Sequence, residues 1–374
     1  MRITLSRRKI ICIVFFELVL LILMPDSSII HINKRQIFEA TANKIRTTLM
    51  RGASGKSDVS WVGHLCPNYQ NHEAESILQW EPITEDTIFF VKTSCHTFLS
   101  AREACAIESI LTHHPNHSVR LMLATPTFNF SHLFTKILQS NSKMRFSWLD
   151  LDEIFANEPL HSWHRERTWM LSEGRTAAVV NDVARAELLR RYGGTYVDLD
   201  ALTLRPLPNA TNWLTRVDDY LVTSAVSSFT SRHPLLQEVT ENIPKVFDPS
   251  SCCSVGPDLF TQLLQKMCPK NITKPSLVSP EDFEFCRDIT VYPRKLFYPI
   301  HYGYKSDELE SIFTEGQGLG SQFFSSTKAF SLHLFHSLSS KRTADLGSDS
   351  IVVEAAKRNC PNVFQALDSR GRNF

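Results

Sequence analysis

Two acidic residues inside an apolar run constrain this chain more than any other feature of its sequence. The stretch from Arg190 to Pro208, RRYGGTYVDLDALTLRPLP, predicts a helix end, a glycine pair and a buried strand that contains Asp198 and Asp200. Burying one unpaired carboxylate costs several kcal/mol, and two neighbouring carboxylates also repel each other. A chain that folds in this way needs a group here that compensates both charges.

Strand geometry suggests what that group is. Residues two apart in a strand point to the same face, so Asp198 and Asp200 are expected to address one spot, with Leu199 turned into the core. A divalent cation between the two acids removes their repulsion, because hard cations bind carboxylate oxygens. Such an ion keeps open positions for diphosphate oxygens and neutralises charge on a leaving group. The alternative is a solvated strand end with two acids, and the preceding helix, glycine pair and apolar strand favour the metal site.

Alternating strand and helix patterns before this stretch predict an α/β fold. Such alternation is typical of a parallel sheet with crossover helices, in which ligands bind at the carboxyl ends of the strands. The clearest helix, 175–194, leads into a strand predicted at 195–204, and the chain after Leu204 is looser and rich in proline. The other predicted strands are 87–94, 118–126, 144–151 and 328–337, the other helices are 100–115, 128–141, 256–268 and one after Leu346, and 291–302 is an edge strand or loop.

The N-terminus differs from the rest of the chain. Basic residues precede an apolar run, Ile10–Met24, which as a helix spans about 22 Å and is short of a ~30 Å hydrocarbon core. The run is either a cleaved signal peptide or a short anchor, and the absence of a clear small-x-small cleavage site favours the anchor, although Glu17 is costly in a membrane. The basic residues keep the N-terminus cytoplasmic. We expect a cytoplasmic tail at 1–9, an anchor at 10–24, a lumenal stem at 25–60 and a globular domain at 61–374.

Cysteine usage fits a lumenal domain. Eight cysteines follow the apolar run, an even number that suggests disulfides in an oxidising compartment. The connectivity is open, and the local pairs Cys95–Cys105 and Cys268–Cys286 are the first candidates. The chain has 40 basic and 39 acidic side chains, so its net charge indicates no nucleic-acid partner. Four N-x-S/T sequons fit lumenal surface loops, at Asn116, Asn129, Asn209 and Asn271.

Six stretches resemble the α1,4-glycosyltransferases, the family of α1,4-galactosyl- and α1,4-N-acetylglucosaminyltransferases with a DXD sugar-binding domain (glycosyltransferase family 32). The most specific match is D-x-x-R at 182–185 followed by G-G-x-Y-x-D-x-D at 193–200. The resemblance implies a single Rossmann-like GT-A-type domain, a UDP-sugar donor, manganese, retention of anomeric configuration and a single-pass type II Golgi membrane protein with a lumenal catalytic domain. The six stretches, which keep the family order, are FFVKTS (89–94), LDLDEIFANEPLHSW (149–163), NDVARAELLRRYGGTYVDLDALTLRPLPN (181–209), GPDLFTQLLQKMCP (256–269), YPRKLFYPI (292–300) and SLHLFHSLS (331–339).

The resemblance assigns a metal site. Asp198 and Asp200 match the DXD acids, with Asp200 as the more direct metal ligand and Asp198 shared between the metal and the ribose or sugar of the donor. His333 matches a histidine of a late H-x-W stretch, where a neutral imidazole would complete the metal site. Its alternative is a hydrogen-bonded core histidine. His336 shares that face only if the strand has turned.

Four further residues are candidates for catalysis or donor binding. Asp182 and Arg185 are three residues apart and therefore lie on one helix face. The arginine would neutralise donor charge, and the aspartate would hold sugar hydroxyls. The alternative is an ordinary helix ion pair, which is worth about 0.2–1 kcal/mol when exposed. Tyr196 would touch the nucleotide or sugar, or else pack in the core. Gly194 ends the helix together with Gly193 and lets the backbone turn into the strand. A close approach of Gly194 to the donor is a second role, which is not required to explain the glycine.

Three segments depart from the family pattern and leave the substrates open. The usual N-G-A-F region becomes VTSAVSSFTSRHPLL at 222–236, H-x-W-N becomes HLFH at 333–336, and F-Y-P-I-x-W ends in His301-Tyr302. We predict transfer of galactose or an N-acetylhexosamine from a UDP-sugar, with an α1,4 linkage, to a glycosphingolipid such as lactosylceramide. The alternatives are transfer to glycoprotein glycans, a catalytically weak sugar-binding protein, and a hydrolase that uses Asp198 and Asp200, although hydrolases usually hold their acids about 5 Å or more apart on different elements.

Overall fold

The computed structural model describes residues 60–66, 75–76, 83–172, 174–269, 272, 282–303, 308–371 and 373–374. The tail, the anchor and all but Ser60 of the stem therefore lie outside the described residues, and their assignment stays a prediction. The chain divides into two compact units, 1–60 and 61–374, of which the second is described below. Within the described ranges, no helix is both long enough and apolar enough to cross a membrane.

An eight-stranded mixed sheet forms the centre of the second unit. The strands are β1 Glu75–Ser76, β2 Thr87–Lys92, β3 Ser118–Leu123, β4 Thr127–Phe128, β5 Met144–Trp148, β6 Gly194–Val197, β7 Ala201–Thr203, β8 Trp213–Arg216, β9 Val222–Phe229, β10 Glu284–Cys286, β11 Ile289–Tyr292 and β12 Ser331–His333. The large sheet has the order β10-β11-β8-β9-β6-β2-β3-β5, and two small sheets pair β1 with β4 and β12 with β7. Strands β6, β2, β3 and β5 run parallel, whereas β9 is antiparallel to both β6 and β8.

The helices connect and cover these strands. They are α1 Ser60–Leu65, α2 Ala101–His113, α3 Leu133–Gln139, α4 Leu151–Ile154, α5 Leu160–Arg165, α6 Thr176–Tyr192, α7 Pro234–Val246, α8 Pro257–Met267, α9 Leu319–Ser326, α10 His336–Ser339, α11 Ile351–Asn359 and α12 Pro361–Asp368, with 3₁₀ turns at Thr168–Leu171, Arg294–Leu296 and Glu310–Ile312. Helix α2 starts with a capping box, in which Ser100 and Glu103 each accept a backbone N–H of the other. Helix α6 packs on β2, β6 and β9, and thereby carries its side chains to the middle of the sheet.

The parallel part of the sheet confirms the α/β prediction. Strands β2, β3 and β5 lie within the predicted strand segments, and α2, α6 and α8 within the predicted helices. The single strand predicted at 195–204 is wrong: the chain forms β6 and β7, which belong to different sheets, and a turn over 198–200 in which the Ala201 N–H donates to the carbonyl of Asp198 (3.1 Å) separates them. The looser segment after Leu204 contains β8 and β9, and the single last helix is the pair α11 and α12.

The glycine pair is explained by the close packing of the chain between α6 and β6. Gly193 and Gly194 have φ angles of 69° and 97°, which L-residues with a side chain rarely adopt. A Cβ atom on Gly194 would lie 2.7 Å from the carbonyl oxygen of Thr87 in the neighbouring strand β2. Glycine is therefore needed here for the helix to end and the strand to enter the sheet.

Three disulfides join distant parts of the second unit: Cys66–Cys95, Cys105–Cys360 and Cys268–Cys286. The predicted Cys268–Cys286 pair is confirmed, and the predicted Cys95–Cys105 pair is wrong. Cys105 is fully buried on α2 and bonds to Cys360, which lies between α11 and α12. Cys95 lies in the loop after β2 and bonds to Cys66. Sequence proximity therefore pointed to the wrong partners. Cys252 and Cys253 are free thiols.

A buried histidine makes the domain sensitive to acid. His114 accepts a hydrogen bond at Nε2 from the backbone N–H of Leu207 (2.9 Å), which ties the chain after β7 to α2. Burial, together with the nearby His117 and His113, lowers the pKa of His114 to about 4, whereas an unfolded histidine titrates near 6.5. Between these values the unfolded chain binds more protons, so this contribution to stability is complete above pH 6.5 and is lost as the pH falls towards 4.

We therefore expect the substitution His114→Gln to reduce the acid sensitivity of the fold. Glutamine keeps an acceptor for the Leu207 N–H but does not titrate. The loss of unfolding free energy between pH 6.5 and pH 5 should be smaller in this variant by about 1–2 kcal/mol. Denaturant unfolding of both proteins at the two pH values measures the difference, and identical pH dependence would contradict the assignment.

Candidate active site

The two DXD acids lie where the central sheet passes into the small sheet. Strand β6 ends at Val197, the acids occupy the turn over 198–200, and β7 leads away in a new direction. Strand β12 pairs with β7 in the antiparallel sense, with Ala201 opposite His333. The distant histidine is thereby brought to the carboxyl end of β6, where parallel strands place ligand sites.

Asp198, Asp200 and His333 form a compact group with metal-ligating atoms. The Nε2 atom of His333 lies 3.6 Å from Oδ2 of Asp198 and 3.2 Å from Oδ1 of Asp200. One ligand atom from each of the three residues lies within 4.8 Å of the others. Burial alone would lower the pKa of His333, but the two carboxylates outweigh it and raise that pKa above its ordinary value. Two carboxylate oxygens and an imidazole nitrogen are a donor set that suits Mn²⁺ and similar divalent ions.

The backbone after β12 orients this group. Phe335 has a φ of 49°, an uncommon left-handed conformation for a bulky residue. Its N–H donates to Nδ1 of His333 (3.1 Å), and the next N–H, of His336, donates to Oδ2 of Asp200 (2.8 Å). In a neutral ring Nε2 then carries the proton and faces the acids. A metal at Nε2 requires the other tautomer, so it would compete with the Phe335 hydrogen bond.

A buried arginine links α6 to the DXD turn. Arg185 lies 2.8 Å from Asp182 and 3.2 Å from Asp198, and its Nε donates to the Ser224 hydroxyl of β9 (3.1 Å). Burial by itself would lower the pKa of Arg185, but Asp182 and Asp198 raise it, so the guanidinium stays charged. The pair with Asp182 is the i,i+3 helix ion pair of the alternative, but it is buried and the same guanidinium also reaches Asp198 after β6.

The two acids that contact Arg185 differ in their titration. Burial raises the pKa of Asp182 to about 6, against the opposing effect of Arg185. Burial acts on Asp198 in the same direction, but Arg185, His333 and Tyr196 outweigh it and lower the pKa of Asp198. Asp198 is therefore an anion held by three partners. Asp182 is the acid of this pair that gains a proton more readily.

The buried side chain of Tyr196 contacts Asp198 through its hydroxyl group. Its ring is fully buried, and its hydroxyl oxygen lies 2.6 Å from Oδ1 of Asp198 and 2.8 Å from Oδ1 of Asn181. The side-chain amide of Asn181 donates to the carbonyl of Val91, which fixes its oxygen towards the tyrosine. Because Tyr196 has one hydroxyl proton, it donates to one of these oxygens at a time. This position favours an orienting role for Tyr196 over direct contact with a nucleotide or sugar.

Gly194 lies away from the carboxylates. It stands at the amino end of β6, about 13 Å along the strand from Asp198 at 3.3 Å per residue, and packs against Thr87 of β2. The assignment of Gly194 to donor binding therefore has no support in its position. Gly256, at the start of α8, is the glycine that borders the site: a Cβ there would lie 2.7 Å from Oδ2 of Asp182.

Three contributors were not found by reasoning from the sequence. Ser224 and Gly256 come from segments that are remote in sequence, and their proximity to Arg185 and Asp182 depends on how α6 and α8 both pack against β9. Asn181 directly precedes Asp182 in the matched helix stretch. Its position next to a candidate acid indicated that Asn181 lies near the site. Its role could not be assigned, because an asparagine inside a helix belongs to no recognisable motif.

A DXD turn at the end of a parallel strand, with a histidine and a buried Asp–Arg pair, is the site of a glycosyltransferase. Comparison with known families agrees: residues 100–218 match the glycosyltransferase sugar-binding region containing the DXD motif, and residues 228–367 match the alpha 1,4-glycosyltransferase conserved region. The chain is thus a glycosyltransferase that is similar to the α1,4-glycosyltransferases over both matched regions.

Individual relatives are similar over most of their length. Human lactosylceramide 4-alpha-galactosyltransferase is 27% identical over 76% of this chain and 78% of its own, and the mouse protein is 28% identical over 75% and 76%. Human alpha-1,4-N-acetylglucosaminyltransferase is 24% identical over 80% of this chain and 85% of its own. Among solved structures, the PaToxG glycosyltransferase matches 60% of this chain and 81% of its own with 15% identity and a TM-score of 0.34.

The three-residue group predicts a divalent metal site that can be measured without a substrate. Asp200→Asn removes one anionic ligand, and we expect it to weaken Mn²⁺ binding at least about tenfold, since changes to groups that only support metal ligands already cost about 10–100-fold. The free Mn²⁺ signal in electron paramagnetic resonance measures the affinity. Asp368→Asn, at an exposed position of α12, is the control. Equal affinities for the wild type and both variants would contradict the site.

Proposed function

We propose that this protein is a metal-dependent, retaining α1,4-hexosyltransferase that transfers galactose or an N-acetylhexosamine from a UDP-sugar to the terminal sugar of a glycosphingolipid such as lactosylceramide. The observation that carries the proposal is the group of Asp198, Asp200 and His333, joined through Arg185 to Asp182. The named activities of the relatives support both candidate donors, because both a galactosyltransferase and an N-acetylglucosaminyltransferase are similar to this chain.

The leaving group would be stabilised at the DXD turn. Asp198, Asp200 and His333 would hold a divalent ion, Mn²⁺ by their donor types, and a bound ion would supply positive charge for the diphosphate of the departing UDP. Arg185 is buried and already contacts two carboxylates, so its role is to hold Asp182 and Asp198 in position rather than to bind phosphate itself. This revises the expectation that the arginine neutralises donor charge directly.

The transferred sugar would lie towards Asp182. One oxygen of this carboxylate contacts Arg185 and the other faces Gly256, so the acid has a fixed orientation from which it can accept hydrogen bonds from sugar hydroxyls. That oxygen packs so closely against Gly256 that a Cβ atom there would lie 2.7 Å away, so any side chain at position 256 would displace the carboxylate. Asp182 is therefore the residue that we assign to positioning the donor sugar.

Retention would follow from attack on the same face as departure. The acceptor hydroxyl oxygen forms a bond to the anomeric carbon while the bond from that carbon to the phosphate oxygen breaks, and the hydroxyl proton passes to the leaving phosphate oxygen. The acids described here are each held by a charged or imidazole partner: Asp182 by Arg185, and Asp198 and Asp200 by His333. None of these three stands free as a nucleophile, which supports same-face attack over a double displacement.

The geometry disfavours glycoside hydrolysis by the two DXD acids. One oxygen of each carboxylate lies within 4.8 Å of the other, and the His333 imidazole takes up the space beside both, within 3.6 Å of each. A hydrolase needs that space for a sugar or a water molecule between its two carboxyl groups. A sugar-binding protein without turnover differs from our proposal in that it would bind a UDP-sugar without consuming it.

We place the protein in the Golgi membrane as a type II protein with a lumenal catalytic domain. The apolar run at 10–24 and its preceding basic residues support a short anchor with a cytoplasmic N-terminus. The three disulfides support an oxidising compartment for the second unit. Both the glycolipid acceptor and a membrane anchor would bring the site close to a bilayer.

The proposed chemistry predicts strict dependence on the DXD acids and on metal. With a panel of UDP-galactose, UDP-N-acetylgalactosamine and UDP-N-acetylglucosamine, we expect the wild-type protein to transfer one sugar to a β-linked acceptor in the presence of Mn²⁺. Asp198→Asn should lower kcat/KM about 100-fold or more, because it removes charge that acts on the leaving group. Chelation should abolish transfer and added Mn²⁺ restore it, whereas Asp368→Asn should behave as wild type. Full transfer under chelation would refute the mechanism.

Gly256 provides a second test, aimed at the donor sugar. In Gly256→Ala the new methyl group would meet the Asp182 carboxylate at 2.7 Å, so the acid must shift, and we expect the KM for the UDP-sugar to rise about three- to tenfold. Gly303→Ala is a matched control, since its Cβ would come no closer than 3.6 Å to another residue. Steady-state kinetics at saturating acceptor measure both variants. An unchanged donor KM in both would contradict the role of Asp182.

A further inference from the structure

An exposed aromatic ring stands beside the metal-ligating group. Tyr302 is 41% exposed and contacts two other rings. One face of Tyr302 lies over the buried His301 ring, with 4.2 Å between ring centres and 31° between planes. Its edge meets Phe335 at 4.9 Å and 61°. The ring is thus held by two aromatic contacts and still keeps an exposed part of its surface.

Tyr302 is connected to both sides of the proposed site. Phe335 packs against His333, with ring centres 4.6 Å apart, so Tyr302 is two ring contacts away from a candidate metal ligand. Burial raises the pKa of the Tyr302 hydroxyl, and charge on Asp218 and then on Cys253 and Cys252 raises it further, so these groups lie in its neighbourhood. The same loop continues to Gly256, which faces Asp182. The exposed ring therefore lies near the metal-ligating group, two ring contacts from His333.

We propose that Tyr302 and Phe335 form the subsite for the acceptor, and that Tyr302 stacks on the apolar face of the terminal hexopyranose that receives the new sugar. The inference rests on the proposed function and names the part of the site that selects its acceptor. Tyr302 is a specificity-determining residue in this assignment, and Phe335 positions it.

Tyr302 is assigned to the acceptor because the two parts of the donor already have other partners. The diphosphate is bound at the DXD turn and the donor sugar at Asp182, so both components of the donor already have polar and charged partners. The acceptor needs a surface of its own near the anomeric carbon, and Tyr302 offers an exposed apolar ring close to the metal-ligating group. One face of a β-galactoside carries mainly C–H groups, and aromatic side chains line sugar and ligand pockets because they cover such faces without demanding hydrogen bonds.

The backbone of Phe335 keeps this subsite in register with the catalytic group. Its left-handed conformation directs the N–H groups of residues 335 and 336 to His333 and Asp200, and the same residue supplies the ring that meets Tyr302. The acceptor surface and the metal-ligating histidine are thus only two residues apart in the chain. A change at Phe335 would disturb both, which makes Tyr302 the better position for a test.

The experiment compares Tyr302→Ala, Tyr302→Leu and Tyr302→Phe with the wild type. We measure KM for octyl β-lactoside, or for another β-linked hexoside that the wild type uses, and KM for the UDP-sugar. We expect the acceptor KM to rise about tenfold in the alanine and leucine variants and to stay near wild type in the phenylalanine variant, because the stacking face is what matters. The donor KM, and UDP release by hydrolysis without acceptor, should not change.

Phe285→Ala is the matched control, since Phe285 is an aromatic residue of β10 that is 56% exposed at the far edge of the sheet. Melting temperatures of all variants show whether any has lost its fold, and the leucine variant keeps a large apolar side chain where alanine is too disruptive. An unchanged acceptor KM in Tyr302→Leu, with normal transfer by the wild type, would overturn the inference and leave the proposed function intact. A raised donor KM would overturn it too, by placing the ring in the donor subsite. A wild type that transfers no sugar from any donor would refute the proposed function, and the inference with it.

Discussion

The site depends on the buried guanidinium of Arg185. Without it, Asp182 and Asp198 would be two carboxylates side by side in a region with little water, which is among the most costly arrangements in a protein. With it, one helix residue neutralises an acid from its own helix and an acid from the end of the central sheet, and its third contact reaches β9. The arginine therefore holds together the elements that any donor would have to bridge, and it does so before a ligand or metal is present.

The site also depends on the small sheet formed by β7 and β12. The central sheet ends its parallel part at Val197, and only because the chain turns and pairs with β12 does His333 reach the carboxylates. The turn into the following helix then supplies two backbone N–H groups to the same cluster and an aromatic ring that packs against His333. Catalytic and acceptor-facing features thus come from one short segment, so a change of acceptor preference can evolve close to residues whose positions must stay fixed.

Reasoning from the sequence succeeded where short-range rules apply. Helix α6, the glycine pair and the strands β2, β3 and β5 follow from apolar periodicity and chain-stopping residues, and these rules act within a few residues. The conclusion that Asp198 and Asp200 converge was right for a wrong reason: they converge in a turn between two sheets, whereas the prediction placed them on one face of a single strand. The Cys105–Cys360 disulfide was missed because its partners are brought together by helix packing, on which sequence distance has no bearing.

The sequence by itself determined the α/β class, the helix α6 that precedes the DXD acids, and the identity of the charged residues that need compensation, because each of these depends on local pattern or on the cost of burying charge. Only the tertiary structure decided which groups provide that compensation and what surrounds them. The contacts of Arg185 with Ser224, of Gly256 with Asp182, and of Tyr302 with Phe335 join segments that are between 33 and 74 residues apart. Such contacts depend on how sheets and helices pack, and no spacing rule in a single sequence encodes them.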